Sequence, residues 1–158
     1  MSVRPIAVTG ADPGGPGLYR LGGLAGLGVG LGYLVIMVLY IPLGAPPSGA
    51  EARLAYLAGH PAAWGAIFWL SVITDLLFVP VALALYRVLQ AINRDAMLIA
   101  SACVGLFIAL DLAVTWTNYA ALLTLSGQYA AAATDAQRAV LVAAAAACLE
   151  PTAYCRDT

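Results

Sequence analysis

Two carboxylates stand inside long apolar runs of this chain: Asp75 within residues 64–86 and Asp111 within residues 97–125. A charged side chain at mid-bilayer depth costs about 2.5–3.5 kcal/mol even on lenient insertion scales. Such residues therefore face other helices or a wet cavity, and they commonly mark proton or ion paths. Both have polar company at helical spacing. Ser71 lies one turn before Asp75, and Thr115 and Asn118 follow Asp111 at i+4 and i+7. On an α-helix that spacing makes one polar strip. Pro80 has no N–H, so the carbonyl of Leu76 loses its helical donor beside Asp75. A freed carbonyl next to a carboxylate can hold a cation, a water or a proton. In an antiparallel hairpin the two carboxylates reach similar depth. Without a cation they cannot both ionise cheaply, and they titrate as a pair.

Asp75, Asp111, Ser71, Thr115 and Asn118 thus form a candidate ion or proton site. The reading preferred from sequence is structural: polar glue between helices, each hydrogen bond worth roughly 0.6–2 kcal/mol. A small proton- or cation-coupled transporter component is the alternative, and a membrane-embedded enzyme the second. The chain has no histidine pair, no Ser or Cys nucleophile with a base, and no phosphate-binding loop. No catalytic residue and no cofactor are assigned, and no metal. A set from Cys148, Glu150, Cys155 and Asp157 lacks the close pairing of zinc ligands, and Cys103 reads as a small packing residue.

The elements that position these residues follow from composition. Hydrophobic residues make up 63% of the chain and charged residues 9%, against roughly 45–50% and about 25% in soluble domains. A helix needs about 20 apolar residues to cross a bilayer, and three stretches qualify: about 21–43, 64–86 and 97–125. The expected architecture is an all-α polytopic membrane bundle. The first run is too long for a signal-peptide core of about 7–15 residues. The net charge of −1, with seven scattered arginines and no lysine, gives no nucleic-acid surface. An alanine-rich, lysine-free composition fits a GC-rich bacterial genome.

The first span is rich in glycine. Gly22, Gly26 and Gly30 recur every four residues, and Gly28 and Gly32 repeat the spacing on a neighbouring face. Small residues at this spacing let a second helix approach closely in lipid. The face serves either tight packing inside one subunit or a seam with another copy or another membrane subunit. Pro42 near the end of the run, with Pro46 and Pro47 beyond it, ends the helix. A short helix at about 49–58 follows, with Ser48 and Glu51 as a capping box and Gly59 and Pro61 as its stop. Ala50, Leu54 and Leu57 share its apolar face, so it is expected to lie in the headgroup region. His60 reads as a solvated loop residue.

Trp64 and Trp69 mark one membrane face as an aromatic belt, and Arg87, Arg94 and Asp95 mark the other. Thr134 and Gln137 form a second capping box before a run too short to cross, a partial fourth helix at about 135–149. Domain limits follow: a disordered cytoplasmic tail over 1–17, a membrane domain over 18–150 and a polar tail over 151–158. Arg4, Arg20, Arg87 and Arg94 fall on one side of three crossings, and Arg53 and Arg138 on the other. The positive-inside bias puts the N-terminus in the cytoplasm of a bacterial inner membrane.

Residues 50–61 (AEARLAYLAGHP), 77–94 (LFVPVALALYRVLQAINR) and 111–119 (DLAVTWTNY) carry a resemblance. Over about residues 49–147 the chain resembles an uncharacterised family of bacterial multi-helix membrane proteins, a domain of unknown function. The resemblance implies further spans after Ala147, where this chain turns to Cys148, Leu149, Glu150 and Pro151. A truncated unit is therefore expected. The resemblance supplies no catalytic residue.

Overall fold

The computed structural model describes residues 15–149 of the chain, with side chains from residue 17. Six α-helices run in the order α1 (Gly15–Leu43), α2 (Ala50–Gly59), α3 (Pro61–Leu89), α4 (Arg94–Leu110), α5 (Thr117–Ala131) and α6 (Asp135–Leu149), and a π-helical segment, Asp111–Trp116, joins α4 to α5 without a break. Three stretches are long and apolar enough to cross a membrane: Gly17–Leu43, Pro61–Leu89 and Arg94–Ala131. Leu24, Leu27, Leu31, Leu34, Ile41 and many like them turn outward. Apolar side chains facing out along whole helices belong in lipid, and the protein is an integral membrane protein.

The three spans of the sequence reading are present, each longer at both ends or at one. The tails expected over 1–17 and 151–158 lie outside the described residues, apart from 15–17, which open α1. Pro61 does more than stop α2. It is the first residue of α3, where its missing N–H would have no helical acceptor in any case. Asn93 caps α4 by accepting from the Ala96 N–H at 3.0 Å.

α3 is the hub. It contacts α1, α2, α4, the π segment and α5, whereas α1 lies along α3 alone and α4 touches α3 alone among the other α-helices described. Gly22 faces Ala84 and the Pro80 carbonyl, Gly28 faces Leu77, and Gly32 faces Thr74. These pairs run in opposite directions, so α1 and α3 are antiparallel. The buried positions of α1 are Gly22, Ala25, Gly32 and Ile36, with Val29 half-buried between them. Steps of three and four residues give the narrow seam of a left-handed helix pair. This corrects the expected glycine face: Gly22 packs, but Gly26 and Gly30 are exposed. The four-residue glycine spacing drifts off the seam, whose real members include an alanine, a valine and an isoleucine.

α2 is also placed differently. Leu54 and Leu57 are fully enclosed, because their face docks on α5 and α6 rather than on headgroups. Together with Ile36, Trp64, Ile67, Leu122 and Ala145 they form the protein's core, at one end of the bundle. The Ser48–Glu51 capping box does not form. The N-cap is Gly49 at φ 97°, a conformation that favours glycine, and the helix begins one residue too late for Ser48 to cap it. Glu51 instead accepts from the Tyr129 hydroxyl at 3.2 Å, and Tyr56 donates to the Leu43 carbonyl at 2.9 Å, tying α2 to the end of α1. The second box forms in a shifted version. Thr134 Oγ1 accepts from the Gln137 N–H, while Gln137 Oε1 accepts from the N–H of Ala133.

The seam predicts an order of sensitivity. A side chain at residue 32 would collide with Thr74, so Gly32→Leu should cost about 1–3 kcal/mol by overpacking. Gly26→Leu and Gly30→Leu should stay within about 0.5 kcal/mol of the parent. Unfolding in mixed maltoside and dodecyl sulfate micelles measures both. The reverse order would mean that a second copy covers the 26/30 face.

Candidate functional site

Asp75 sits at the midpoint of α3 (Pro61–Leu89). A carboxyl there has no water to solvate it and needs a donor from the protein. The structure supplies one from the indole of Trp116, whose Nε1 donates to Asp75 Oδ2 at 2.6 Å. Asp75 is 3% exposed. Asp111 brings a second carboxyl near enough to act on Asp75 electrostatically. Tyr33 of α1 stands within electrostatic reach of both. Ser71 and Thr74 complete the buried polar face of α3. Thr74 Oγ1 donates to the carbonyls of Ser71 at 2.7 Å and Leu70 at 3.0 Å. Its hydroxyl is thus satisfied within its own helix, and its methyl occupies the space that a side chain on residue 32 would need.

The π segment determines which residues meet. Asp111 opens it and Trp116 closes it. Its N–H groups bond five residues back rather than four, so the turn is one residue wider than an α-turn, a rare device that clusters at functional sites. At its entry the Asp111 N–H is shared between the carbonyls of Phe107 and Ile108. At its exit the Thr117 hydroxyl donates to the carbonyls of Ala113 and Val114. A threonine hydroxyl bonding back one turn in this way supports a local irregularity in the ladder.

This geometry corrects the polar strip expected from α-helical spacing. Asp75 and Asp111 come together with Ser71, but Thr115 is exposed and Asn118 half-buried. Those two line a separate cavity of about 230 Å³ with Arg53, Tyr119, Leu122 and Cys148. The extra residue of the π segment breaks the i, i+4, i+7 register, and the i+5 residue, Trp116, takes the place assigned to Thr115. The spacing argument gives Trp116, Tyr33 and Thr74 no part in the site. A signal was available for Thr74: a threonine adjoining the charged residue on the same face.

Trp116 also walls a second cavity, of about 200 Å³, with Tyr40, Trp64, Ile67, Phe68, Thr115 and Tyr119. Its rings meet edge to face: Tyr40 to Trp64 at 5.5 Å between centroids and Phe68 to Trp116 at 5.8 Å. Trp64 is 2% exposed, and among the described residues its Nε1–H has no acceptor.

Other candidates fall away from the site. His60 is exposed between α2 and α3, its Nδ1 3.2 Å from the Tyr56 carbonyl. Cys103, expected to pack, is exposed on α4. Of the set Cys148, Glu150, Cys155 and Asp157, only Cys148 lies among the described residues.

The model of a family described as a domain of unknown function (DUF4386) matches residues 28–152. No curated protein matches the chain, and no solved structure does.

The hydrogen bond that answers Asp75 is testable by itself. Trp116→Phe keeps an aromatic ring but leaves the buried carboxyl without its donor, and should lower stability in detergent by about 1–3 kcal/mol. Thr115→Val, at an exposed position outside the pair, should be neutral within about 0.5 kcal/mol. Equal effects of the two would restore the α-helical register.

Proposed function

The chain belongs to the DUF4386 family, and on that footing we propose that its buried carboxyl pair is a structural latch rather than a reacting centre. One observation carries this reading: Asp75, buried at the middle of the central helix, is met by the Trp116 indole N–H at 2.6 Å. The bond ties α3 to the segment that joins α4 to α5. Interhelical hydrogen bonds in lipid are worth roughly 0.6–2 kcal/mol. They do more for geometry than for energy, because a helix that rotates away leaves a polar group in hydrocarbon.

A second reading rests on a different observation. Asp111 is near Asp75 but only half-buried, and Tyr33, exposed on α1, is within electrostatic reach of both. Paired carboxyls with one open member suit proton or cation transfer. In that reading the protein is a small component of a proton- or cation-coupled transporter, and Asp75 is the group that loads.

Neutral isosteres separate the two. Asn retains an acceptor for Trp116 but can neither release a proton nor balance a cation. For the latch, Asp75→Asn and Asp111→Asn fold with stability within about 1 kcal/mol of the parent, and proteoliposomes of the parent show no proton or sodium flux above empty vesicles. Flux in the parent that vanishes in folded Asp75→Asn would overturn the latch in favour of transport.

The membrane is the bacterial cell membrane in this reading, with the N-terminus in the cytoplasm. The support is the arginine bias: Arg20, Arg87 and Arg94 at one face, Arg53 and Arg138 at the other. In a chain stripped of its native cysteines, a cysteine at residue 48 should react with an impermeant maleimide in intact cells, and one at residue 93 should not. The opposite labelling would invert the topology.

A further inference from the structure

The two cavities on either side of Thr115 and Tyr119 belong together. One is aromatic: Tyr40, Trp64, Phe68, Trp116 and Tyr119 contribute five aromatic side chains, and no charged side chain lines it. The other holds Arg53 and Asn118, and Thr115 and Tyr119 line both. Arg53 lines the second cavity together with Thr115 and Tyr119, the two residues that also line the first, so the cation stands next to the aromatic space.

Each part selects a different chemical group. Aromatic rings clustered around a small space attract a weakly hydrated cation through their electron-rich faces, and quaternary ammonium groups are the ligands most often held this way. Arg53 and the Asn118 amide select an anionic oxygen acceptor.

Size and place agree. An apolar cavity of about 150 Å³ holds benzene, so about 200 Å³ takes a trimethylammonium group with room to spare. The aromatic cavity lies at the end of the bundle where α3 begins. Trp64 and Tyr56 of that end meet edge to face at 5.8 Å between centroids, and Arg53 comes from α2. Charged heads and aromatic side chains meet at this level in membranes.

We infer that the two adjoining cavities bind a small quaternary-ammonium zwitterion across Thr115 and Tyr119, with its ammonium among Tyr40, Trp64, Trp116 and Tyr119 and its anionic group toward Arg53 and Asn118. The site is independent of the role of the carboxyl pair, which touches it only by holding the Trp116 ring. Two sources offer this chemistry, a soluble betaine and the phosphocholine head of a lipid.

The test uses the full chain in maltoside micelles, which carry no ammonium group, with intrinsic tryptophan fluorescence as the readout. Three probes are titrated: glycine betaine, choline, and 3,3-dimethylbutan-1-ol, the uncharged isostere of choline. Glycine betaine should saturate, choline should bind about tenfold more weakly, and the neutral alcohol weaker again by a similar factor, the scale of one ionic or cation–π contact. Arg53→Gln should bring betaine down to the level of choline while leaving choline unchanged. Tyr119→Leu should weaken both. Competition by dihexanoylphosphatidylcholine below its micelle concentration assigns the source: tighter binding than betaine names the lipid head, weaker binding the soluble solute. A neutral alcohol that binds as well as choline overturns the proposal, because the cavity is then merely apolar. So does the absence of saturation with all three probes in a chain whose circular dichroism is helical, and so does an Arg53→Gln variant that treats betaine as the parent does.

Discussion

A carboxyl at the middle of a membrane-spanning helix must be answered by a donor, and in this protein one indole answers it. The bond from Trp116 to Asp75 at 2.6 Å sets what the neighbouring elements have to do. Trp116 must project toward α3, so the helix that carries it cannot keep α-helical register from Asp111 onward. A π segment inserts one residue, and the side chains that would have formed a polar strip rotate away toward the Arg53 cavity. An irregularity of this kind disturbs the backbone ladder. It persists because the carboxyl and its donor are both satisfied, and because Thr117 bonds the carbonyls at the exit.

The same constraint reaches α1. Asp75 is enclosed only if a helix lies close over the face that carries Ser71 and Thr74. Glycine at residues 22 and 32 permits that approach, and Gly32 lies on Thr74, next to the carboxyl. Tyr33, the following residue, is then within electrostatic reach of both aspartates. A larger residue at position 32 would push α1 outward and open the carboxyl pair to lipid. The glycines therefore matter less as a dimer signal than as the means by which α1 seals the polar face of α3.

Much of this was legible in the sequence. Run lengths and apolar content gave three crossings, a short second helix and a partial last one, and burial was expected of both aspartates from their depth, which holds for Asp75 while Asp111 is half-buried. The pairing of Asp75 with Asp111 followed from antiparallel geometry. The π segment was not legible, because one inserted residue leaves no periodic trace in six positions, and every partner inferred through α-helical spacing beyond Asp111 was shifted accordingly. The α1 seam was misread for a related reason. Glycine is conspicuous, but a seam of threes and fours is made of whatever is small enough, including Ala25 and Val29. The docking of α2 was unreadable from its own pattern, since an apolar face suits lipid headgroups and a protein core equally well.

Trp116 belongs to two environments at once. Its Nε1 is committed to Asp75, and its ring walls the aromatic cavity with Tyr40, Trp64, Phe68 and Tyr119. The ring cannot turn without losing the hydrogen bond that covers a buried carboxyl, so the wall of the cavity is held from behind. The dependence also runs the other way. A molecule seated against the indole favours the orientation that keeps the bond, and removing the acceptor, as in Asp75→Leu, loosens the wall. Coupling of this kind is reciprocal by thermodynamic necessity: whatever the occupant of the cavity adds to the stability of the Trp116–Asp75 contact, that contact adds to the binding of the occupant. The buried hydrogen bond at mid-membrane and the aromatic recess thus meet in one ring, that of Trp116.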